Sequence, residues 1–267
     1  MFVTRTISGI VLIVLMAAVL IAGGPVLWTA VMAISLIGMY ELYRLVGVEK
    51  KALGVAGYAS AVFYGGLLLL RYTEINIAFP VFLVSLIMAV YVFTFPEFTS
   101  DQAMLVFFGV LYIPMMLLHL YQIRTLDDGY LVWLVIIGSW GCDTCAYLVG
   151  MKFGKKRLAP ILSPKKSVEG AIGGVVGSAL LGFLFGAIFA PHLTLLKNPA
   201  FGCMIITAAA AVLSQIGDLT ASAIKRNNNV KDYGNLIPGH GGILDRFDSM
   251  IFVAPVIYYL VRILRVA

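Results

Sequence analysis

Charged side chains are scarce in this chain of 267 residues. Only 12% of the residues are Asp, Glu, Lys or Arg, whereas 61% are hydrophobic, and the mean hydropathy is +0.98. Soluble domains carry roughly a quarter charged residues, so this chain has too few polar groups to cover a surface that faces water. The composition excludes a soluble enzyme and a disordered tail. It predicts an integral membrane protein whose few charges mark its functional region.

Cysteine is also rare, and three thiols are too few for a disulfide framework. Cys142 and Cys145 have the spacing of a redox or zinc pair, but no second pair or nearby His completes such a site. We therefore interpret these two and Cys203 as small packing residues. The sequence also lacks a Walker A loop, a kinase glycine-rich loop and a Ser-His-Asp order.

Long apolar runs fill the sequence instead. A membrane-spanning helix needs about 20 mostly apolar residues. The runs predict an all-α, polytopic integral membrane protein with about nine transmembrane helices. Within this one membrane domain we expect scaffold helices over residues 1–125 and a catalytic region over residues 126–267. The predicted spans are residues 7–23, 25–46, 52–71, 75–95, 103–123, 129–150, 169–190, 200–225 and 243–264.

Lys and Arg are distributed unevenly between the two sides of these spans. Fourteen of the 19 lie on the side that holds the N-terminus and the loops after spans 2, 4, 6 and 8. The positive-inside rule places that side in the cytoplasm. The net charge of +6 indicates anionic lipid headgroups or phosphorylated substrates as partners, and no nucleic acid is expected.

Two aspartates fall inside apolar runs. Asp143 lies in the sixth span and Asp218 lies late in the eighth, where an ionised carboxylate costs several kcal/mol unless it is paired, binds a metal or faces water. Helical spacing places Gln215, Ser222 and Lys225 on the same stripe as Asp218. This stripe is either a hydrogen-bonded seam between helices or part of a polar site.

The loop after the sixth span carries six cations within residues 152–166. They are either a topology signal that also touches anionic lipid or part of a binding site. The last two precede a predicted helix, for which Ser163 followed by Pro164 offers one N-cap and Ser167 offers another. Lysines beside a helix start favour phosphate binding, because free N–H groups and cations face the same volume.

The loop after the eighth span, residues 225–248, is denser still in polar groups. Glycines on both sides of His240 let the backbone approach a ligand closely, and the Asn run after Arg226 is a natural helix C-cap. Asp245 and Asp248 lie on one face of the ninth helix, where two carboxylates repel each other unless a cation lies between them. The alternative is an acidic first turn favoured by the helix dipole.

These carboxylates are the ligands that Mg²⁺ prefers, since the ion usually takes one or two of them and leaves its other positions to water and substrate phosphates. With the surrounding Lys and Arg residues, they have the composition that phosphoryl or nucleotidyl transfer requires. The spacing therefore predicts a metal-dependent phosphate site that lies in the membrane and faces the cytoplasm.

The motifs in residues 138–255 closely resemble those of the phosphatidate cytidylyltransferases, the CDP-diacylglycerol synthases. The first half of the chain contributes only compatible hydropathy. The matching positions are Asp143, Thr144, Ala146 and Tyr147; Gly154 and Lys155; Ser163 to Ser167, Glu169, Gly170, Gly173 and Gly174; and Ser222, Lys225, Arg226, Lys231, Asp232, Pro238, His240, Gly241, Gly242, Asp245, Arg246 and Asp248.

The resemblance implies an enzyme of phospholipid biosynthesis that transfers CMP from CTP to phosphatidic acid and releases pyrophosphate. It implies Mg²⁺ as the cofactor and leaves a second cation open. The enzyme is expected in the cell (inner) membrane with its active site facing the cytoplasm. Its expected partners are CTP, phosphatidic acid and membrane lipids, and a homodimer is left open.

The resemblance also implies roles for individual residues. Because phosphatidate is already anionic, His240 is expected to position a phosphate rather than to remove a proton. The metal ligands are expected to be Asp218 and Asp245, with Asp248 and Asp143 as a further ligand or as support behind the ligands. The catalytic residues are expected to be Asp218, Asp245, Lys225, His240 and Arg246. The substrate-binding residues are expected to be Lys165, Lys166, Ser167, Glu169, Ser222, Arg226, Lys231, Asp232, Gly241 and Gly242.

Two other functions remain open from the sequence. A CTP-dependent lipid kinase would use similar groups but would release CDP. A cation-coupled membrane transporter would bind ions at Asp143 and Asp218. Broken helices in inverted repeats would favour the transporter, and the sequence has no evident repeat.

The uneven charge distribution gives a topology prediction. In a background without Cys142, Cys145 and Cys203, a single cysteine in place of Lys155 or Asn228 should resist impermeant thiol reagents in intact cells, because both positions face the cytoplasm. The same cysteines should react after lysis. Labelling of both positions in intact cells would contradict the predicted orientation.

Overall fold

The chain folds into membrane-spanning helices, as the sequence predicts. The computed structural model describes residues 2–72, 74–239 and 241–265, and within them nine long helices follow one another. The helices are α1 (Phe2–Ala22), α2 (Gly24–Arg44), α3 (Ala52–Leu69), α4 (Ile75–Phe93), α5 (Ser100–Arg124), α6 (Trp133–Phe153), α7 (Val168–Ile188), α8 (Pro199–Asn227) and α9 (Leu244–Leu264).

The predicted spans overlap these helices one for one. Among the described residues, seven helices are long and apolar enough to cross a membrane, and α1 and α4 contribute shorter apolar stretches at Ser8–Ala22 and Ile77–Phe93. The predicted fold class is therefore confirmed, and the chain is a multi-pass membrane protein.

Local sequence signals fix several helix ends. Thr99 and Gln102 form a capping box at the start of α5, because each side chain accepts the backbone N–H of the other residue. The start of α8 combines Asn198 as N-cap with Pro199 in its first turn. The same helix ends in the predicted Asn run, where Asn229 adopts a positive φ of 56°.

Two helices contain wider turns. Residues Leu111–Met115 of α5, which include Pro114, form a π-helical turn, and so do residues Ile137–Gly141 of α6. The regular part of α6 that follows, Cys142–Phe153, carries Asp143 in its first turn. Such turns occur mostly as single insertions within α-helices.

The basic loop after α6 is a short antiparallel hairpin. Strand β1 (Arg157–Ala159) pairs with β2 (Ser163–Ser167), with Arg157 opposite Ser167. The alternative helix start at Ser163 and Pro164 is therefore wrong, because both residues lie in β2. The other alternative is confirmed: Ser167 caps α7 by accepting the N–H of Gly170 at 3.1 Å.

The described residues divide into two compact units. The first unit comprises the chain up to Leu118 together with Asp232–Arg246. The second unit comprises His119–Lys231 together with the chain from Phe247 onward. The predicted division at residue 125, with a scaffold before it and a catalytic region after it, stays a prediction.

Glycines let α7 pack closely against its neighbours in the second unit. A Cβ at Gly177 would lie 2.6 Å from the Cys145 side chain of α6. A Cβ at Gly182 would collide with the Thr207 side chain of α8. Small residues at contact faces are a common device of membrane helices, because they bring the two backbones close together.

This packing predicts different effects for two Gly→Ala substitutions. Gly182→Ala should lower the unfolding temperature of the purified protein, because overpacking costs about 1–3 kcal/mol. Gly66→Ala is the matched control, since a Cβ there meets nothing within 4 Å. It should be neutral or gain up to about 1 kcal/mol from the better helix propensity of Ala. Equal unfolding temperatures for the two variants would contradict the close contact between α7 and α8.

Candidate functional site

Three aspartates from three helices come together in the second unit. Asp248 of α9 is buried, and it interacts electrostatically with Asp218 of α8 and with Asp143 of α6. Negatively charged carboxylates that lie near one another in an apolar environment repel each other. The fold therefore brings three of the four predicted metal ligands within electrostatic reach of one another.

Two lysines contribute positive charge to this group. Lys166, near the end of β2, forms an ion pair with Asp218, and both side chains are 27% exposed. Lys225 of α8 is buried and interacts electrostatically with Asp248. The sequence predicts both lysines as site residues, and the structure places them beside the aspartates.

Ser249 is a member of this group that the sequence does not predict. Its backbone N–H donates to Asp248 Oδ1 at 2.8 Å. Its hydroxyl oxygen lies 3.3 Å from the same carboxylate oxygen and 3.4 Å from Asp143 Oδ2, so it can donate to either side chain. The only feature of the sequence that indicates a role for Ser249 is the position of its hydroxyl, directly after Asp248 in an apolar helix.

The four residues of the predicted polar stripe all lie on α8. Gln215 donates to the Ala171 carbonyl of α7 at 3.0 Å, so this end of the stripe is a seam between helices. Asp218 and Lys225 belong to the charged group, and Ser222 between them is half-buried. The seam interpretation therefore applies at Gln215, and the interpretation of Asp218 and Lys225 as part of a functional site stays a prediction.

Glu169 fixes the base of the hairpin. Its carboxylate accepts the backbone N–H of Lys155 at 3.0 Å and that of Lys156 at 3.2 Å. The Val168 N–H also donates to the Lys156 carbonyl at 2.9 Å. These bonds hold β2, and with it Lys166, in place. Substrate binding by Glu169 itself stays a prediction.

Asp245 lies in the first unit, where it closes a loop. Its Oδ2 accepts the backbone N–H of Tyr233 and that of Gly242, each at 2.9 Å. Between them Gly241 has a φ of +85°, and a Cβ there would lie 2.8 Å from the same carboxylate oxygen. The Gly242 N–H, predicted to contact substrate, donates to the Asp245 carboxylate in this structure. Metal binding by Asp245 stays a prediction.

The remaining predicted residues are mostly at the surface. Lys165, Lys231 and Asp232 are exposed. Arg226 is also exposed, and it donates to the Val230 carbonyl at 3.2 Å. Arg246 is half-buried in the first turn of α9. His240 lies outside the described residues, so its predicted role has no structural test.

Glu41 of α2 is a second buried group that the sequence does not predict. Only 5% of the residue is exposed, and its two oxygens accept the backbone N–H groups of Ile243 and Leu244. The available signal was an acidic residue inside an apolar span, which is the signal that identifies Asp143. Glu41 is thus a buried acidic group in the half of the chain whose scaffold role stays a prediction.

The donor chemistry of the second unit fits Mg²⁺, because all three aspartates offer carboxylate oxygens. Across residues 2–72, 74–239 and 241–265, however, no three Asp, Glu, His or Cys side chains lie close enough together to hold a metal ion. One Asp218 oxygen is paired with Lys166. The three aspartates therefore match Mg²⁺ in ligand type and charge, and they do not match it in spacing.

Comparison with known proteins identifies the family. A model of the cytidylyltransferase family matches residues 3–264. The chain belongs to the cytidylyltransferase family. It is therefore an enzyme of the nucleotidyltransferase type, and the resemblance found in the sequence motifs is confirmed.

Cytidylyltransferases from several bacteria are similar to this chain. A phosphatidate cytidylyltransferase of Staphylococcus aureus is 31% identical over 263 residues, which cover 95% of this chain and 96% of that protein. One of Staphylococcus epidermidis is 28% identical over 95% of this chain and 96% of its own length. One of Bacillus subtilis is 39% identical over 168 residues, which cover 62% of this chain and 61% of that protein.

The ion pair gives a prediction for this cytidylyltransferase. Lys166→Ala should lower kcat/KM for CTP consumption about 10- to 100-fold. The reason is the loss of the expected charge-assisted contact between the Lys166 ammonium and a substrate phosphate, which is worth about 1.5–3 kcal/mol. Steady-state kinetics of the purified variant measures the change. Lys50→Ala is the control, since Lys50 is exposed in the turn before α3. Equal losses in both variants would show that the phosphate site is misplaced.

Proposed function

We propose that this cytidylyltransferase acts on phosphatidic acid, joining CMP from CTP to the lipid phosphate to form CDP-diacylglycerol and pyrophosphate for phospholipid biosynthesis. The observation that carries the proposal is the grouping of Asp143, Asp218 and Asp248 with Lys166 and Lys225 in one unit. The relatives from Staphylococcus and Bacillus support phosphatidate as the substrate.

The reaction is a displacement at the α-phosphorus of CTP. An oxygen of the phosphatidate phosphate forms the new bond to this phosphorus, and the bond to the bridging oxygen of the β-phosphate breaks. Pyrophosphate leaves with that electron pair. Because phosphatidate is already anionic, a strong general base is not needed. Lys166 and Lys225 would hold phosphate oxygens and offset the negative charge that two anionic substrates bring together.

Mg²⁺ would be held by Asp218, Asp248 and Asp143. When bound, it would neutralise negative charge on the substrate phosphates. The electrostatic interaction of Asp248 with Asp218 and Asp143 supports this assignment, because carboxylates that repel one another favour a bound cation. The proposal includes a share of Asp245 in metal binding and leaves a second cation open, and mutants with metal titration test both.

The membrane setting follows from the same proposal. Phosphatidic acid resides in the bilayer and CTP is a soluble cytoplasmic nucleotide, so both reach a site at the cytoplasmic face of the inner membrane. The excess of Lys and Arg on that side supports this orientation. A homodimer and the absence of a nucleic acid partner are further expectations.

Labelled CTP tests the proposed reaction directly. Purified protein in lipid should release labelled pyrophosphate and form CDP-diacylglycerol only when phosphatidic acid and Mg²⁺ are both present. Release of CDP with transfer of the terminal phosphoryl group would instead identify a lipid kinase. Ion flux without turnover of CTP would identify a transporter.

The three aspartates give a mutational prediction. Asp218→Asn and Asp248→Asn should each nearly abolish turnover while the protein stays folded and inserted in the membrane, because each change keeps the size but removes a ligand charge. If both serve one ion, the double variant should be scarcely worse than either single one, since groups that act as a unit are non-additive. Kinetics across a Mg²⁺ titration measures this.

Asp128→Asn is the matched control, because Asp128 is exposed. Its neighbour Asp127 is unsuitable, since it accepts the N–H groups of Gly129 and Leu131 at 2.8 and 2.9 Å. Partial burial also raises the pKa of the Asp127 carboxyl above its usual range. Near-normal turnover in Asp218→Asn, or losses that multiply in the double variant, would reject the shared ion.

A further inference from the structure

Glu41 of α2 is an acidic side chain buried in an apolar span. It is 5% exposed and lies in the last turns of Gly24–Arg44, outside all the motifs that carry the family resemblance. Burial of a carboxylate is costly unless hydrogen-bond donors surround it. The identity of those donors therefore indicates what the residue does.

Both carboxylate oxygens accept backbone N–H groups at the start of α9. Oε1 accepts from Ile243 at 3.0 Å and Oε2 accepts from Leu244 at 2.8 Å. The first N–H groups of a helix have no partner within the helix, and a side chain just before the helix usually caps them. Here Gly241 and Gly242 precede these residues and offer no side-chain acceptor. The cap comes from a helix about 200 residues away in the chain instead.

The loop before α9 is shaped to receive this carboxylate. A Cβ at Gly234 or at Gly242 would collide with Glu41. One turn further along α2, Arg44 Nη2 donates to the Tyr233 carbonyl at 3.0 Å. Helix α2 therefore holds both ends of the segment formed by residues 233–239 and 241–244, which we call the signature loop because the family motif runs through it.

The signature loop and the turn after it carry predicted site residues. Gly241 and Gly242 lie in the loop, and Asp245 and Arg246 follow it directly. Asp245 itself closes the loop by accepting N–H groups from Tyr233 and Gly242. A change in the Glu41 contacts would therefore displace these four residues together.

We infer that Glu41 is a positioning residue for the CTP-dependent reaction. It fixes the signature loop and the first turn of α9 in the conformation in which Asp245 and Arg246 act. The inference rests on the proposed function, and it gives the N-terminal half of the chain a part in the chemistry.

The geometry requires two acceptor oxygens at this position. Gln keeps the size but has only one acceptor oxygen, and its NH₂ group would meet a backbone N–H donor. Asp keeps two acceptors and the charge but is shorter by one methylene. The structure thus predicts that Glu41→Asp retains more function than Glu41→Gln, although Gln is closer to Glu in size.

Amide hydrogen exchange tests the contacts independently of activity. In the purified full-length protein, Glu41→Gln should speed exchange in a peptide covering residues 241–246 about tenfold, because one hydrogen bond is lost and one N–H group is left without a partner. Glu97→Gln is the matched control, since Glu97 is exposed in the loop before α5. Unchanged exchange in Glu41→Gln would overturn the inference.

Kinetics of the same preparations tests the positioning role. Glu41→Gln should lower kcat and raise the KM for CTP, with a loss of about tenfold or more in kcat/KM. Misfolding of a fraction of the molecules would lower only the apparent kcat, so a shift in KM separates positioning from a purely structural effect. Glu41→Asp should fall between Glu41→Gln and the unmodified protein.

The outcomes distinguish this inference from the proposed function. Unmodified protein that forms no CDP-diacylglycerol rejects the proposed function, whatever the exchange data show. An active unmodified protein whose Glu41→Gln variant exchanges faster but keeps its kcat and KM shows that Glu41 only stabilises the loop. If Glu41→Gln is as active as Glu41→Asp, or more active, the inference that position 41 needs two acceptor oxygens is wrong.

Discussion

The cost of burying charge in an apolar environment governs this structure. Each buried carboxylate needs a cation or several hydrogen-bond donors, because ionised groups lose their hydration inside the membrane. Two solutions are present. Glu41 and Asp245 accept backbone N–H groups of the signature loop, whereas Asp218 and Asp248 interact with the lysines of the second unit. Among the described residues, the buried charged side chains all lie in these two regions: Glu41, Lys225, Asp245 and Asp248.

Close helix packing makes the second of these regions possible. Gly217 lies one residue before Asp218, and a Cβ there would lie 2.8 Å from the Asp248 carbonyl oxygen and from the Phe252 ring. The glycine lets α8 and α9 approach each other, so the two carboxylates can interact. A larger residue would push the helices apart and weaken the electrostatic coupling on which the proposed cation site depends.

Hydrophobicity made most of the fold predictable, because the bilayer requires long apolar runs that can be recognised locally. The nine spans, the Asn cap after α8 and the polar stripe of Asp218 and Lys225 follow from such signals. Contacts between distant segments could not be predicted in this way. The β2 strand contains Pro164 and two lysines, which are poor strand formers, and it depends on pairing with β1 and on the Glu169 bonds. The partners of Glu41 are about 200 residues away in the chain.

Asp245 and Asp248 show why spacing alone does not assign roles to residues. They lie three positions apart on α9, which suggests one shared ion, yet their surroundings differ. Asp245 accepts two backbone N–H groups, which stabilise its negative charge without a metal. Asp248 accepts the Ser249 N–H and lies among Asp218, Asp143 and Lys225, so repulsion from its neighbours is only partly offset. The carboxylate that lacks full compensation within the protein is the one that gains most from a bound cation. By this criterion Asp248 has the stronger case as a metal ligand, and Asp245 has the stronger case as the residue that shapes the loop.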